Sequence, residues 1–425
     1  MRFSKNTLKN GLRVITVSLP NLESATVTVW VKTGSRMEEN RVAGISHFLE
    51  HMVFKGSKKR PTAKEIAEEV DAIGGEFNAA TNKDWTNFYI KARAGNLSTA
   101  FDVLADMVLN PILAEEEIER EKGVIVEEIR MYEDTPMFRI GDVYEQLAFG
   151  KTPLGRDIIG SEKTVTGLKK DDFVRYRNKY YYPENMLLTV AGGVDEKQVL
   201  ALAGQHLGQL KKAARSVSQP LAFKKQQKKA QVKLHSKKKE QAHFILGFLA
   251  EGRKYKGKLI QAVLASILGG GMSSRLFSEV RERRGLAYSV RTSVERYEDT
   301  GYIGTYAGVD VARIDEAIKV TLNEHYKLAS GEIPISAKEL KKAKEYIKGH
   351  LALSLEDTKD INYFFADQEL YLPRIETPEA IFKGIDKVTI EEVIAEAKKI
   401  FRPEKLNLAI IGPYGRPERF QRLLK

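Results

Sequence analysis

The strongest constraint on the fold is that the sequence closes twice in the same way. One half ends with Val165-Thr166, a polar helix-like run, and then Tyr182-Pro183-Glu184-Asn185-Met186-Leu187-Leu188-Thr189-Val190-Ala191-Gly192. The other ends with Val388-Thr389, a similar run, and then Arg402-Pro403-Glu404-Lys405-Leu406-Asn407-Leu408-Ala409-Ile410-Ile411-Gly412. In both, Pro-Glu stops a helical pattern and a β-rich strand runs on to a glycine. Pro183 and Pro403 lie 220 positions apart, within the range of about 50–250 residues that one domain occupies. The 425 residues therefore divide into a first domain over 1–215, a basic linker over 216–228 and a homologous domain over 229–425.

Each half mixes strand-like and helix-like segments. Ala25-Thr26-Val27-Thr28-Val29-Trp30-Val31 and Phe88-Tyr89-Ile90-Lys91-Ala92-Arg93-Ala94 show period-two patterns, whereas 62–73, 98–109 and 114–132 carry helical patterns. The expected class is α+β: two homologous domains, each a mostly antiparallel sheet with helices packed on one face.

Composition narrows the function. With no cysteine, disulfides, thiolate metal sites and cysteine nucleophiles are excluded. No apolar run reaches the roughly 18–20 residues that cross a bilayer. Met1-Arg2-Phe3-Ser4-Lys5 lacks a signal-peptide hydrophobic region, so the expectation is a soluble cytoplasmic protein with no membrane partner. The net charge of +12 invites a nucleic-acid reading, but eleven of its basic residues lie between Lys211 and Lys239, where no acid occurs. That stretch has a single aromatic, Phe223, too few for base stacking. A solvated basic linker is the better reading, with no nucleic-acid partner.

The sharpest local signal is His47-Phe48-Leu49-Glu50-His51. At about 100° per residue, Glu50 lies about 60° to one side of His47 and His51 about 40° to the other. Ile45, Leu49 and Met52 fall on the opposite face. Two imidazoles four residues apart can reach one metal ion, and Glu50 can then contact a water on that metal. This is the inverted zinc motif, H-x-x-E-H. His206, His235, His243, His325 and His350 have no such spacing and read as ordinary surface or core histidines.

A catalytic zinc usually takes three protein ligands, so a third must come from elsewhere. On the 114–132 helix, Glu128 lies among Val124, Ile125, Met131 and Tyr132 on one stripe, where an unpaired carboxylate is costly. Glu121 shares that face two turns earlier and suits a carboxylate that orients a histidine. Glu127 sits at the stripe's edge and Glu117 near the helix start, so both are weaker candidates. A buried Glu paired with Lys or Arg is the competing reading.

With these residues in view, the chain resembles the pitrilysin/insulin-degrading-enzyme family of zinc metallopeptidases, in the half-length subgroup of the mitochondrial processing peptidase. That family's signature continues to a metal-binding Glu some seventy-odd residues on, preceded by another Glu seven residues earlier. Here His51 to Glu128 spans 77 positions and Glu121 to Glu128 spans seven. The resemblance covers essentially the whole chain. It implies one Zn2+ per chain bound by His47, His51 and Glu128, with Glu50 as general base and Glu121 supporting catalysis. It also implies that Gly74-Gly75-Glu76-Phe77-Asn78-Ala79 belongs to an edge strand whose Asn78 and Ala79 hold substrate as an added strand.

The second half has no H-x-x-E-H. Gly269-Gly270-Gly271 is not followed by G-K-[ST], which argues against a phosphate loop. Arg281 and Tyr288 match an Arg/Tyr pair that contacts substrate in the family. The implied function is a zinc endopeptidase acting on peptides or unfolded protein segments, as a homodimer or with a related chain. The alternative is an inactive scaffold or partner subunit of the same family.

Overall fold

The computed structural model describes residues 1–212, 222–224 and 227–424. Residues 216–221, 225 and 226 of the expected linker lie outside them. Two compact units are formed, one from Met1–Arg130, Arg156–Leu221 and Ser354–Thr377, the other from Met131–Gly155, Ala222–Leu353 and Pro378–Lys425. These units do not follow the 1–215 and 229–425 halves. Each takes in a helix from the opposite half.

In the first unit the strands are β1 (Ser4–Thr7), β2 (Arg13–Ser18), β3 (Ser24–Val31), β4 (Glu76–Thr81), β5 (Thr86–Arg93) and β6 (Met186–Gly192). They are ordered β1-β2-β6-β3-β5-β4. Only the β2–β6 pair is parallel; the others are antiparallel. Val27, Val29, Phe88, Leu188 and Val190 pack on one face with Phe101, Leu104 and Val199 from the Leu97–Leu109 and Glu196–Leu207 helices.

The second face is covered as well, by the Thr358–Tyr371 helix. Ile361, Phe365 and Ala366 bury Ile15, Val17, Trp30 and Leu187. This adds to the one-face expectation, and β3 shows why its sequence concealed it. Thr26 and Thr28 alternate with valines and look solvent-facing, yet both are buried. Thr26 pairs with the Thr358 hydroxyl at 2.6 Å, and Asn362 donates to the Thr28 hydroxyl at 3.0 Å. The hydroxyls are satisfied by the covering helix rather than by water.

The second unit repeats the plan. Its strands β7 (Gln231–Ser236), β8 (Gln241–Glu251), β9 (Ala287–Arg296), β10 (Thr300–Asp310) and β11 (Leu406–Gly412) are ordered β7-β11-β8-β10-β9. That is the order of β2-β6-β3-β5-β4. The Lys258–Gly269, Ile314–Ser330 and Ile390–Ile400 helices pack on one face. On the other, Val143, Tyr144 and Phe149 of the Pro136–Phe149 helix bury Ile245, Leu249 and Tyr302. The Pro-Glu repeats form matching 3-10 turns at Pro183–Asn185 and Pro403–Lys405, each followed by a seven-residue strand that ends in glycine. No helix among the described residues is long and apolar enough to cross a membrane.

Candidate metal centre

The His47-to-His51 sequence folds as the Ile45–Val53 helix. Gly44 starts it with φ of 97°, and a Cβ there would meet the Ile159 carbonyl oxygen at 2.6 Å, so a side chain has neither the conformation nor the room. The Glu38 carboxylate caps the helix, accepting from the backbone N–H groups of Gly44 and Ser46, each at 2.8 Å. Burial pushes the Glu38 carboxyl up to about 7, against the opposing pull of these hydrogen bonds and Arg156. Ile45, Phe48, Leu49 and Met52 are wholly buried on the helix's inner face and anchor it in the core. That leaves His47, Glu50 and His51 on the other face, as the helical spacing requires.

The Glu115–Asp134 helix supplies the third group. His47 Nε2 lies 3.7 Å from Glu128 Oε1, and His51 Nε2 lies 3.6 Å from Glu128 Oε2. One ligand atom from each of the three residues lies within 4.8 Å of the others. Donors bound to one zinc at about 2.0–2.2 Å have separations of this order. Burial, then the neighbouring His51, pushes His47 down to about 3, which keeps its imidazole in the neutral, ligating form. The donor chemistry of two imidazoles and a carboxylate fits a single zinc ion.

Glu121 stands behind the group, its side chain only 3% exposed, with Oε1 2.8 Å from His51 Nδ1. This contact commits Nδ1 and leaves Nε2 turned towards Glu128. Burial would raise the Glu121 carboxyl, but its hydrogen bonds to His51 and Lys55 and the Lys55 charge prevail and hold it below its ordinary value. Glu50 is shifted upwards by burial, moderated by a hydrogen bond that it accepts from the Thr81 hydroxyl.

Glu127 is exposed and pairs with Arg130 at 2.6 Å, while Glu117 pairs with Arg120. Neither belongs to the three-residue group. The stripe around Glu128 is less buried than the pattern suggests: Ile125 is buried, but Val124 and Met131 are 49% and 54% exposed. Glu128 faces the two histidines, not an apolar core. Nothing in the sequence pattern marks Thr81 or Lys55 as part of the site. Both lie close to motifs in the chain, but only the fold brings Thr81 onto Glu50 and Lys55 onto Glu121.

Asn78 and Ala79 lie on β4, which ends its sheet with β5 as neighbour. The Ala79 N–H donates to Asn78 Oδ1 at 2.8 Å. In the second unit, Arg281 sits on a π-helical turn at Phe277–Glu282. Its guanidinium lies 4.8 Å from the Phe277 ring centre and 5.3 Å from that of Tyr288. Tyr288, near the start of β9, is 80% exposed. Gly269 permits close backbone packing, since a Cβ would meet the Thr292 nitrogen at 2.6 Å. Within the basic stretch, Lys237 and Lys239 donate to the Glu133 and Asp134 carbonyl oxygens, closing the C-terminal end of the Glu115–Asp134 helix.

A two-histidine, one-glutamate metal site on a duplicated α+β scaffold defines the class of protein. The chain belongs to the insulinase family of peptidases, M16: the model of that family matches residues 13–162, and the model described as the M16 inactive domain matches residues 167–347. It is 36% identical to a protein of Mycobacterium leprae named an uncharacterized zinc protease, over 99% of this chain and 94% of that one. It is 38% identical to the Bacillus subtilis protein named uncharacterized zinc protease YmxG, over 96% of this chain and 98% of that one. Among solved structures, a protease from Helicobacter pylori superimposes with a TM-score of 0.91 at 26% identity, over 97% of this chain and 100% of the other. An M16 inactive-domain structure from Pseudomonas fluorescens, at 19% identity and a TM-score of 0.88, shares the fold. The chain is thus a member of a zinc-protease family, and its His-His-Glu group can hold one metal ion.

Proposed function

We propose that the protein is a zinc-dependent endopeptidase cleaving peptides or extended protein segments. The observation that carries this reading is the convergence of His47, His51 and Glu128 with Glu50 on the same helix face, in a chain of a zinc-protease family. A zinc ion held by those three residues acidifies water and polarises a carbonyl group. Glu50, steadied by Thr81, takes the proton from the attacking water and returns it to the leaving amine. Glu121 keeps the His51 ring oriented. Asn78 and Ala79, on the edge strand, hold substrate as an added strand. Tyr288 donates to the carbonyl oxygen as charge develops on it, and Arg281 binds the substrate beside it.

The active form in this reading is a homodimer, with Arg281 and Tyr288 of one subunit serving the zinc site of the other. Incubation with a quenched peptide library, followed by mass spectrometry of the products, tests the activity. Cleavage that a chelator abolishes and zinc restores is the expected result. No cleavage by zinc-loaded protein would favour an inactive partner subunit. Mixing Glu50→Gln protein with an Arg281→Ala/Tyr288→Phe variant tests the dimer. Exchange of subunits creates one site with neither defect, so activity returns; no recovery in dimers shown to be mixed removes the shared-site arrangement.

A further inference from the structure

Glu121 has both carboxylate oxygens engaged, and the second partner comes from the motif helix's own continuation. Lys55 follows the Ile45–Val53 helix by two residues and lies four residues after His51. Its Nζ sits 2.6 Å from Glu121 Oε2, while Glu121 Oε1 meets His51 Nδ1 at 2.8 Å. The Glu121 side chain is 3% exposed, against 28% for Lys55. Water therefore has little access to replace a lost partner at Oε2, and an unpartnered buried carboxylate oxygen is costly. The carboxylate would turn or shift to recover a donor, and the His51 ring would lose its fixed backing.

We propose that Lys55 is a positioning residue of the metal centre: it clamps Glu121 so that His51 is held in its metal-binding orientation. The sequence Lys55–Glu121–His51 is a three-membered brace, with both ends on one chain segment and the middle on the Glu115–Asp134 helix. Lys55 touches neither metal nor substrate in this role. The inference rests on the metal reading above but not on peptidase activity, because it concerns how firmly zinc is held.

The test measures zinc release from the full-length, zinc-loaded chain to an excess of a chromogenic chelator, with no peptide present. Lys55→Met preserves the aliphatic stem and should release zinc about tenfold faster, at the lower end of what lost outer contacts cost. Lys55→Arg should restore release to near the wild-type rate, since a guanidinium can also serve Oε2. The decisive comparison is made in a Glu121→Gln background. There Lys55→Met should add nothing, because the residue through which Lys55 acts has already been altered. Thermal unfolding of the metal-free proteins should show each variant folded at the assay temperature, with a lowered midpoint where the Glu121 oxygen loses its partner; if Lys55→Met does not fold, Lys55→Gln takes its place. Unchanged release from the Lys55 variant, or equal acceleration with and without Glu121, would overturn the proposal. A wild-type chain that takes up no zinc would overturn the metal reading together with this inference. Zinc uptake without proteolysis would leave the inference standing and sink the peptidase reading alone.

Discussion

The two sheets share one strand order, β2-β6-β3-β5-β4 and β7-β11-β8-β10-β9, but differ in what the first helix after the third strand of the order carries. After β3, the Ile45–Val53 helix buries one face and leaves two imidazoles and a carboxylate on the other. After β8, the corresponding Lys258–Gly269 helix has Gln261, Val263, Leu264, Ile267 and Leu268 buried and contains no histidine. The longest helix of each half repeats the contrast: Glu115–Asp134, of 20 residues, supplies Glu121 and Glu128, whereas Ala337–Ser354, of 18 residues, is rich in lysine. A duplicated scaffold thus keeps its packing in both copies, while among the described residues a group able to hold a metal stands in one. Histidine itself is used in two ways. His47 and His51 turn Nε2 towards a shared carboxylate, whereas His325 spends its nitrogens on the Thr321 carbonyl at 2.8 Å and the Thr305 hydroxyl at 3.2 Å.

The largest effect should come from His51→Ala, which removes one of three ligands. Elemental analysis should find the zinc gone, and hydrolysis should go with it. Glu128→Gln should weaken zinc binding where Glu127→Gln does not; the opposite ranking would place the ligand on the wrong side of the helix. Glu50→Gln comes next. Zinc should stay while turnover falls about 10²–10⁴-fold, and near-normal turnover by the metal-replete variant would exclude Glu50 as the base.

The shared packing can be tested through the two covering helices. Phe365→Ala in the first unit and Phe149→Ala in the second each empty a buried aromatic site. Each should cost about 3–5 kcal/mol in denaturant unfolding. A negligible cost in one unit alone would break the structural parallel between them.

The smallest effect concerns pH and the second unit. Burial holds His325 down to about 4 from an ordinary 6.5, outweighing the hydrogen bond to Thr321 that favours the proton. Above about 6.5 the ring is neutral in both folded and unfolded chains. As pH falls below that value the unfolded chain takes up a proton that the folded chain refuses, so stability drops until about pH 4. At pH 5 the loss is about 2 kcal/mol. His325→Gln should flatten that acid slope in equilibrium unfolding, and an unchanged slope would assign it to other groups.

The motif helix was legible in the sequence because its chemistry is local: His47, Glu50 and His51 need only helical geometry to converge. The same holds for the Pro-Glu turns and for helices whose ends moved by a residue or two, such as 62–73 against Ala63–Ala72, where Thr62 is the cap. Glu128 stands out in the sequence as a carboxylate on an apolar helix stripe and through the family spacing, although Val124 and Met131 of that stripe are exposed. Thr81 and Lys55 were not found, since each meets its partner only through tertiary folding, across 31 positions for Thr81 and Glu50 and further for Lys55 and Glu121. The covering helices were hidden for a different reason. A threonine satisfied by a distant helix has the same period-two pattern as one facing water.

That exchange of helices sets a timetable for synthesis. The first sheet has all its strands once Gly192 has been made, yet the surface around Ile15, Trp30 and Leu187 has to wait for Thr358–Tyr371. Through much of translation the nascent chain carries an uncovered apolar patch, the condition that chaperones recognise and that promotes association between neighbouring chains. A truncated transcript stopping before Thr358 would encode His47, His51 and Glu128 and still yield a product with that surface bare.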